Sequence, residues 1–194
     1  MTFQDPPAFA AWEHREARRG FEVAFLSATG AGLHVHGSTS AVEAGRPWVV
    51  TYEIDLDERW RTRHAVVTSR TLAGDRAVVL DHDGVGAWRV DGATAPDLAG
   101  CLDIDLESSA LTNAFPVRRA RPRPGDRIAA PAAYVHASGA VVECLEQTYR
   151  RLEYGEPGAQ RYEYAAPAFR FTCELTLDGA GLCTSYPGLA TRAG

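Results

Sequence analysis

The strongest constraint on the fold is a two-residue alternation of apolar and polar side chains that returns along most of the chain. It is clearest in Ala168–Leu177, where Phe169, Phe171, Cys173, Leu175 and Leu177 fall at every second position. A period of two sends successive side chains to opposite faces of a strand, so such a segment buries one face. The period recurs in Gly20–Ser27, Leu33–Gly37, Pro47–Leu56, His64–Ser69, Ala77–Leu80 and Gly86–Val90. It continues through Ala132–Ala137, Val141–Glu153, Gln160–Tyr164 and Leu182–Tyr186. Asp-Gly dipeptides at Asp83 and Asp178 are hairpin signals between such runs. Strands spaced about 8–12 residues apart predict a mostly antiparallel β protein. Without a Pro/Ser-rich linker, residues 1–194 read as a single domain.

Helical patterning is scarce. Phe9–Arg19 suits either a helix or a strand, because Trp12, His14 and Glu16 also alternate. The better helix candidate is Glu107–Phe115, with Ser108 and Ser109 as caps and Pro116 as the stop.

With 194 residues, 45% of them hydrophobic and 23% charged, the chain can bury a substantial core. No apolar run approaches the roughly 20 residues of a membrane-spanning helix. The polar segment Met1–Arg19 lacks the apolar centre of a secretory signal, so the expectation is a cytoplasmic protein that is not embedded in a membrane. All 20 basic residues are arginine, which excludes lysine Schiff-base chemistry. A net charge of −5 argues against nucleic acid as a partner. The local run Arg118, Arg119, Arg121, Arg123 and Arg127 then reads as a solvated edge. Cys101, Cys144, Cys173 and Cys183 form no CxxC pair; three of them sit in apolar, strand-like surroundings, where buried reduced thiols are expected. The histidines have no metal-ligand spacing, and neither a hydrolase elbow nor a nucleotide loop is present, so no metal or cofactor is expected.

Chemistry concentrates in Cys101–Arg119. Asp103 and Asp105 share one strand face, a polar turn follows with Ser108, Ser109, Thr112 and Asn113, and Arg118 and Arg119 close the segment. Asp55/Asp57, Asp81/Asp83 and Asp103/Asp105 are three Asp-x-Asp pairs. Each can accept hydrogen bonds from sugar hydroxyls or hold a hard cation; equally, aspartates at strand ends cap turns, which is the preferred reading for Asp81/Asp83. Asp103 and Asp105 either form a site or pair with Arg118 and Arg119 in a buried network. Trp60 and Trp88 can stack on a sugar ring or fill the core. Arg63, Arg118 and Arg119 can grip a phosphate or carboxylate, or pair across strands with aspartates. Asn113 and Tyr186 complete the candidate ligand-binding set, with backbone satisfaction and packing as their plainer roles.

Read in order, several short motifs are similar to those of the bacterial Putative glycolipid-binding family. They are Tyr52-x-Ile54-x-x-Asp57-x-x-Trp60-x-x-Arg63, Asp83-Gly-x-Gly-x-Trp88, and Cys101-x-Asp103-x-Asp105 running into Thr112-Asn113-x-x-Pro116-x-Arg118-Arg119. Gln147-x-Tyr149, Tyr162-x-Tyr164 and the closing Asp178-Gly-x-Gly-Leu182-x-x-x-Tyr186-Pro187-Gly188-Leu189 follow. The resemblance implies a large, curved, barrel-like antiparallel sheet wrapped around a single helix. It also implies a homodimer, an acidic pocket and a glycolipid or other amphiphile as ligand. The chain departs from the family pattern at Ser109-Ala110-Leu111-Thr112, where Ser/Thr-Pro-Phe-Thr is usual, and at Ala114-Phe115, where Thr-Leu is usual.

Three functions fit these residues. The favoured one is non-catalytic binding of an amphiphile, because no nucleophile-base pair and no metal set is present. A glycoside hydrolase would draw its two carboxyls from Asp57, Asp83, Asp103 and Asp105. A structural dimer would use the Asp/Arg centre only as a buried ion network.

Overall fold

The computed structural model describes residues 3–153 and 158–193. Its strands are β1 (Phe9–His14), β2 (Arg19–Thr29), β3 (Gly32–Glu43), β4 (Arg46–Asp57), β5 (Thr62–Thr71), β6 (Gly74–His82), β7 (Trp88–Val90), β8 (Ala93–Thr94) and β9 (Asp103–Leu106). The helix α1 (Ala114–Ala120) follows, and then β10 (Arg127–Ala129), β11 (Ala132–Val135), β12 (Val142–Leu145), β13 (Thr148–Arg151), β14 (Gln160–Ala166), β15 (Phe171–Leu177), β16 (Cys183–Tyr186) and β17 (Ala190–Arg192). Fourteen strands form one antiparallel sheet in the order β10-β13-β14-β15-β16-β17-β1-β2-β3-β4-β5-β6-β7-β8. Its two end strands do not pair, so the sheet stays open. A second sheet, β12-β11-β9, contains a parallel pair, β9 with β11, that the antiparallel reading missed.

The alternation sets the two faces of the large sheet. Leu26, Val35, Ile54, Ala65 and Leu80 are cross-strand neighbours from β2 to β6, and all are buried. One residue along, the outward row runs Ser27, His34, Asp55, His64, Asp81. Its His34–Asp55 and His64–Asp81 pairs close at 2.7 and 2.8 Å. These aspartates therefore meet histidines at half-exposed positions. Phe9–Arg19 resolves as a strand entering a turn, with Ala10, Trp12 and His14 inward.

Inside the curve lie β9 and α1. Ser109 and Ala110 bond Glu22 on β2, while Asn113 accepts from Tyr149 on β13. Strands far apart in the sheet order thus reach the same short segment, which fixes the wrapping of sheet around helix. All four residues of β9 are buried because the strand is covered on both faces.

Several local expectations need correction. The helix begins at Ala114, after a 3-10 turn at Leu111–Asn113, and Pro116 lies within its first turn. There the proline's missing N–H has no intrahelical partner to lose, so it helps start the helix it was expected to stop. Neither serine caps the helix itself. Val141–Glu153 divides into β12 and β13, which belong to different sheets, and Phe169 sits exposed in a 3-10 turn ahead of β15. Of the cysteines, Cys101 and Cys183 are buried, Cys173 is half-buried and Cys144 is exposed. Among the described residues no helix is long and apolar enough to cross a membrane.

Candidate functional site

The connection from β9 to α1 forms one wall of a cavity of about 330 Å³. Asp105 and Leu106 come from the end of β9, Glu107, Ser109 and Asn113 from the connection, and Tyr134 from the neighbouring β11. The opposite wall is aromatic and aliphatic: Tyr164 and Ala166 on β14, Phe171 on β15, Tyr186 on β16, with Phe169 and Leu189. Inward alternation on β14 to β16 delivers these rings to one place, where Tyr164 lies 5.1 Å from Tyr149 and 6.0 Å from Tyr186 between centroids. Arg18, Glu43 and Glu107 add charge to the lining.

Asp105 is the unusual group. Burial pushes its carboxyl up to about 6, with the nearby Asp103 adding to the rise. The Thr112 hydroxyl donates to Oδ1 at 2.7 Å, and Gln147 also bonds the carboxyl, yet neither offsets the loss of water. No ion pair to Asp105 occurs among the described residues. Gln147 in turn accepts from the Tyr164 hydroxyl at 2.8 Å, so carboxyl, amide and phenol form a continuous polar seam. Asn113 accepts from the Tyr149 hydroxyl at 3.0 Å. Burial raises the phenols of Tyr134, Tyr164 and Tyr186 above their usual range, so all three stay neutral.

Behind the cavity stands a second carboxylate. Glu22, fully buried, accepts from the Tyr52 hydroxyl at 2.7 Å, from the Ala110 N–H at 2.8 Å and from the Ser109 hydroxyl. Tyr52 crosses directly over Gly37; a Cβ there would stand 2.3 Å from its ring, so glycine is what lets the phenol reach Glu22. Arg18 donates through Nε to His14 Nδ1 at 3.1 Å and through Nη2 to the Glu107 carbonyl at 2.6 Å. Arg18, Glu22, Glu107, Tyr134 and Tyr164 were absent from the sequence-derived set. Glu22 was not findable from alternation, because the bulkier apolar phase of β2, Phe21, Val23 and Phe25, would have turned it outward; the structure instead buries Glu22 with Ala24 and Leu26.

Of the sequence-derived residues, Asp105, Asn113 and Tyr186 line this cavity. Asp103, on the same face of β9, is paired with Arg119, whose Nε lies 3.2 Å from Oδ1. Burial raises the Asp103 carboxyl even against that guanidinium. Asp83 accepts from the N–H groups of Val85, Gly86 and Ala87, which makes it the cap of the β6–β7 turn. Asp57 caps the β4–β5 turn through the N–H groups of Arg59 and Arg61 and pairs with the Arg61 guanidinium. Burial works to raise its carboxyl, but these Arg61 and Arg59 bonds prevail and lower it. Trp88 belongs to the core, its Nε1 donating to the Cys101 carbonyl at 2.9 Å and its ring stacked on His82 at 4.4 Å. Arg63 is exposed and 3.9 Å from Asp57. Trp60, Arg118 and Arg119 gather at a separate groove. The acidic residues therefore do not share one pocket.

Among the described residues no three His, Cys, Asp or Glu side chains gather to hold a metal. The arrangement at the cavity is suited to holding a molecule with one apolar and one hydroxyl-bearing part.

The family model described as Putative glycolipid-binding matches residues 9–192. The chain belongs to this family. A crystal structure of a DUF1089 family protein from Pseudomonas aeruginosa is similar at a TM-score of 0.77 and 31% identity, covering 89% of this chain and 92% of that one. A beta-barrel-like protein of the domain of unknown function DUF1849 from Brucella abortus shares the fold at a TM-score of 0.57 and 10% identity, covering 98% and 96%. No curated protein matches the chain significantly. For the Putative glycolipid-binding family, the relevant features of this member are thus an open curved sheet and an aromatic cavity with a buried carboxyl.

Proposed function

We propose that the protein binds a glycolipid-like amphiphile without chemically altering it, using the cavity between the β9–α1 connection and β14–β16. The observation that carries this reading is the division of the cavity wall: Tyr164, Phe171, Tyr186 and Leu189 on one side, Asp105 and Asn113 on the other. Sugar hydroxyls donating to Asp105 would favour its ionised form and replace the water lost on burial. The flat faces of Tyr134 and Phe169, 5.3 Å apart between centroids, suit the C–H face of a sugar ring. At about 330 Å³ the cavity is at the small end of ligand pockets, which span about 300–1,000 Å³. It suits one ring and the adjoining start of a chain, with the remainder of a lipid outside. The reading includes a homodimer.

Titration calorimetry with alkyl glucosides of increasing chain length, each kept below its micelle concentration, tests the proposal. Affinity should rise with chain length, and Tyr134→Ala and Asp105→Leu should each weaken it by about tenfold or more. If no alkyl glucoside binds, or if folded variants bind as the parent does, the proposal fails. A hydrolase is the second reading, favoured by one observation: a carboxyl near 6 is in the range of a general acid. Release of phenol from aryl glucosides, abolished by Asp105→Asn, would put it first.

A further inference from the structure

Away from the cavity, the β4–β5 turn and the end of α1 enclose a groove of about 500 Å³. Arg59 and Arg61 come from the turn, Arg118, Arg119 and Arg121 from the helix and its C-cap, and Trp60 lies between them. Glu58 is the one carboxylate in the lining. Two of the guanidiniums have carboxylate partners, Arg61 with Asp57 and Arg119 with Asp103. Arg59, Arg118 and Arg121 have no ion pair among the described residues. The lining therefore carries an unbalanced positive charge on a chain whose net charge is −5.

Arg118 is the informative member. Its residue is 8% exposed, and its guanidinium lies 3.9 Å above the centroid of the Trp60 ring. Nη1 donates to the carbonyls of Gln4 and Ala180, while the buried Nε has no acceptor. Burial and the neighbouring Arg121 pull it down to about 10, with Asp5 and Asp178 opposing only at a distance. A guanidinium buried without a counter-ion is costly, and an anion bound in the groove beside it would offset that cost through its charge, without reaching the enclosed Nε. Trp60 holds its position with φ 64°, a backbone region unusual for a bulky residue, kept by the Asp57 turn.

We infer that this groove binds a phosphate group, with Arg59, Arg118 and Arg121 as its principal donors and Arg61 and Arg119 positioned by their carboxylates beside it. Guanidinium forks approaching from two chain segments fit the several terminal oxygens of a tetrahedral oxyanion better than the two of a carboxylate. The phosphate can belong to a soluble ion or ester or to an anionic lipid headgroup. The site is separate from the aromatic cavity, so the inference stands or falls independently of the amphiphile reading.

Two assays with the full chain at low ionic strength test it: calorimetry with inorganic phosphate, and co-sedimentation with phosphatidylcholine vesicles containing or lacking phosphatidic acid. Arg59 and Arg121 are both exposed, so the double variant Arg59→Gln/Arg121→Gln should keep the fold. We expect saturable binding in at least one assay, weakened by about tenfold or more in that variant. Binding of free phosphate assigns a soluble ligand; binding only to vesicles containing phosphatidic acid assigns a headgroup. Absence of binding in both assays, or binding undiminished in the double variant, overturns the inference.

Discussion

At the scale of single residues, Asp105 concentrates the conflict between burial and charge. Its carboxyl is raised from 3.8 to about 6 in the folded protein, so between those values the folded state holds more protons than the unfolded chain. Stability attributable to this group is full below about pH 4 and is lost as pH rises through about 6. Two pKa units correspond to about 3 kcal/mol. Asp105→Asn keeps an oxygen for Thr112 but cannot ionise, so it should stabilise the protein by about 1–3 kcal/mol at pH 8 and leave stability near pH 4 almost unchanged. Urea unfolding at both pH values reads this directly, and equal effects at both would contradict the assignment. Asp105 and Asn113 were legible as candidates because they sit in a segment dense with polar groups. Their neighbours Tyr134 and Tyr164 were not, because the register of β11 on β9 and the curvature of the sheet bring them there.

Among elements, the contact between β5 and β9 ties the inner segment to the outer wall. The Thr62 N–H donates to the Leu102 carbonyl at 3.1 Å, and the buried Thr62 hydroxyl accepts from the Ile104 N–H at 2.9 Å. At the far end of β5, Ser69 donates to the Ala137 carbonyl. Thr62→Val preserves shape and removes the acceptor, leaving a buried N–H unsatisfied at a cost of about 1–3 kcal/mol. Thr62→Ser should restore most of that loss. Chemical denaturation of the two variants separates the hydrogen bond from the methyl group; a Thr62→Val variant as stable as the parent, with Thr62→Ser the weaker of the two, would show that packing alone matters. Nothing in the alternation of His64–Ser69 distinguishes Thr62, because the strand pattern specifies a face and leaves its distant partner open. The helix shows the same limit: its polar approach was readable, while its start depended on Leu111, Phe115 and Val117 finding the core.

For the molecule as a whole, an open sheet leaves an outer face that carries apolar groups. Phe9 and Phe25 are direct cross-strand partners on β1 and β2, exposed at 61% and 57%, and Phe21 on the same strand is exposed at 43%. Burying such rings contributes about 1.5–3 kcal/mol each, which makes this face the natural contact of the proposed homodimer. Sedimentation velocity should show a dimer for the parent and a monomer for Phe25→Glu, a change at an exposed position with little effect on folding. A monomeric parent, or a variant that remains dimeric, would remove this face from the proposal.

The sequence by itself marked most of the strands and the family, because alternation and turn chemistry are local and survive without knowledge of the partners. It did not settle every inward face: on β2 the rings of Phe21 and Phe25 point outward while Glu22 points in. It also marked Asp103, Asp105 and the paired arginines as places where ordinary β structure does not explain the composition. Only the tertiary structure decided which carboxyl is paired and which is left in a cavity. Asp103 and Asp105 are two residues apart on one strand, yet Arg119 reaches the first, while Thr112, Gln147 and aromatic rings surround the second. Residues two apart on a strand share a face, but their electrostatic surroundings come from segments brought together by the curve of the sheet.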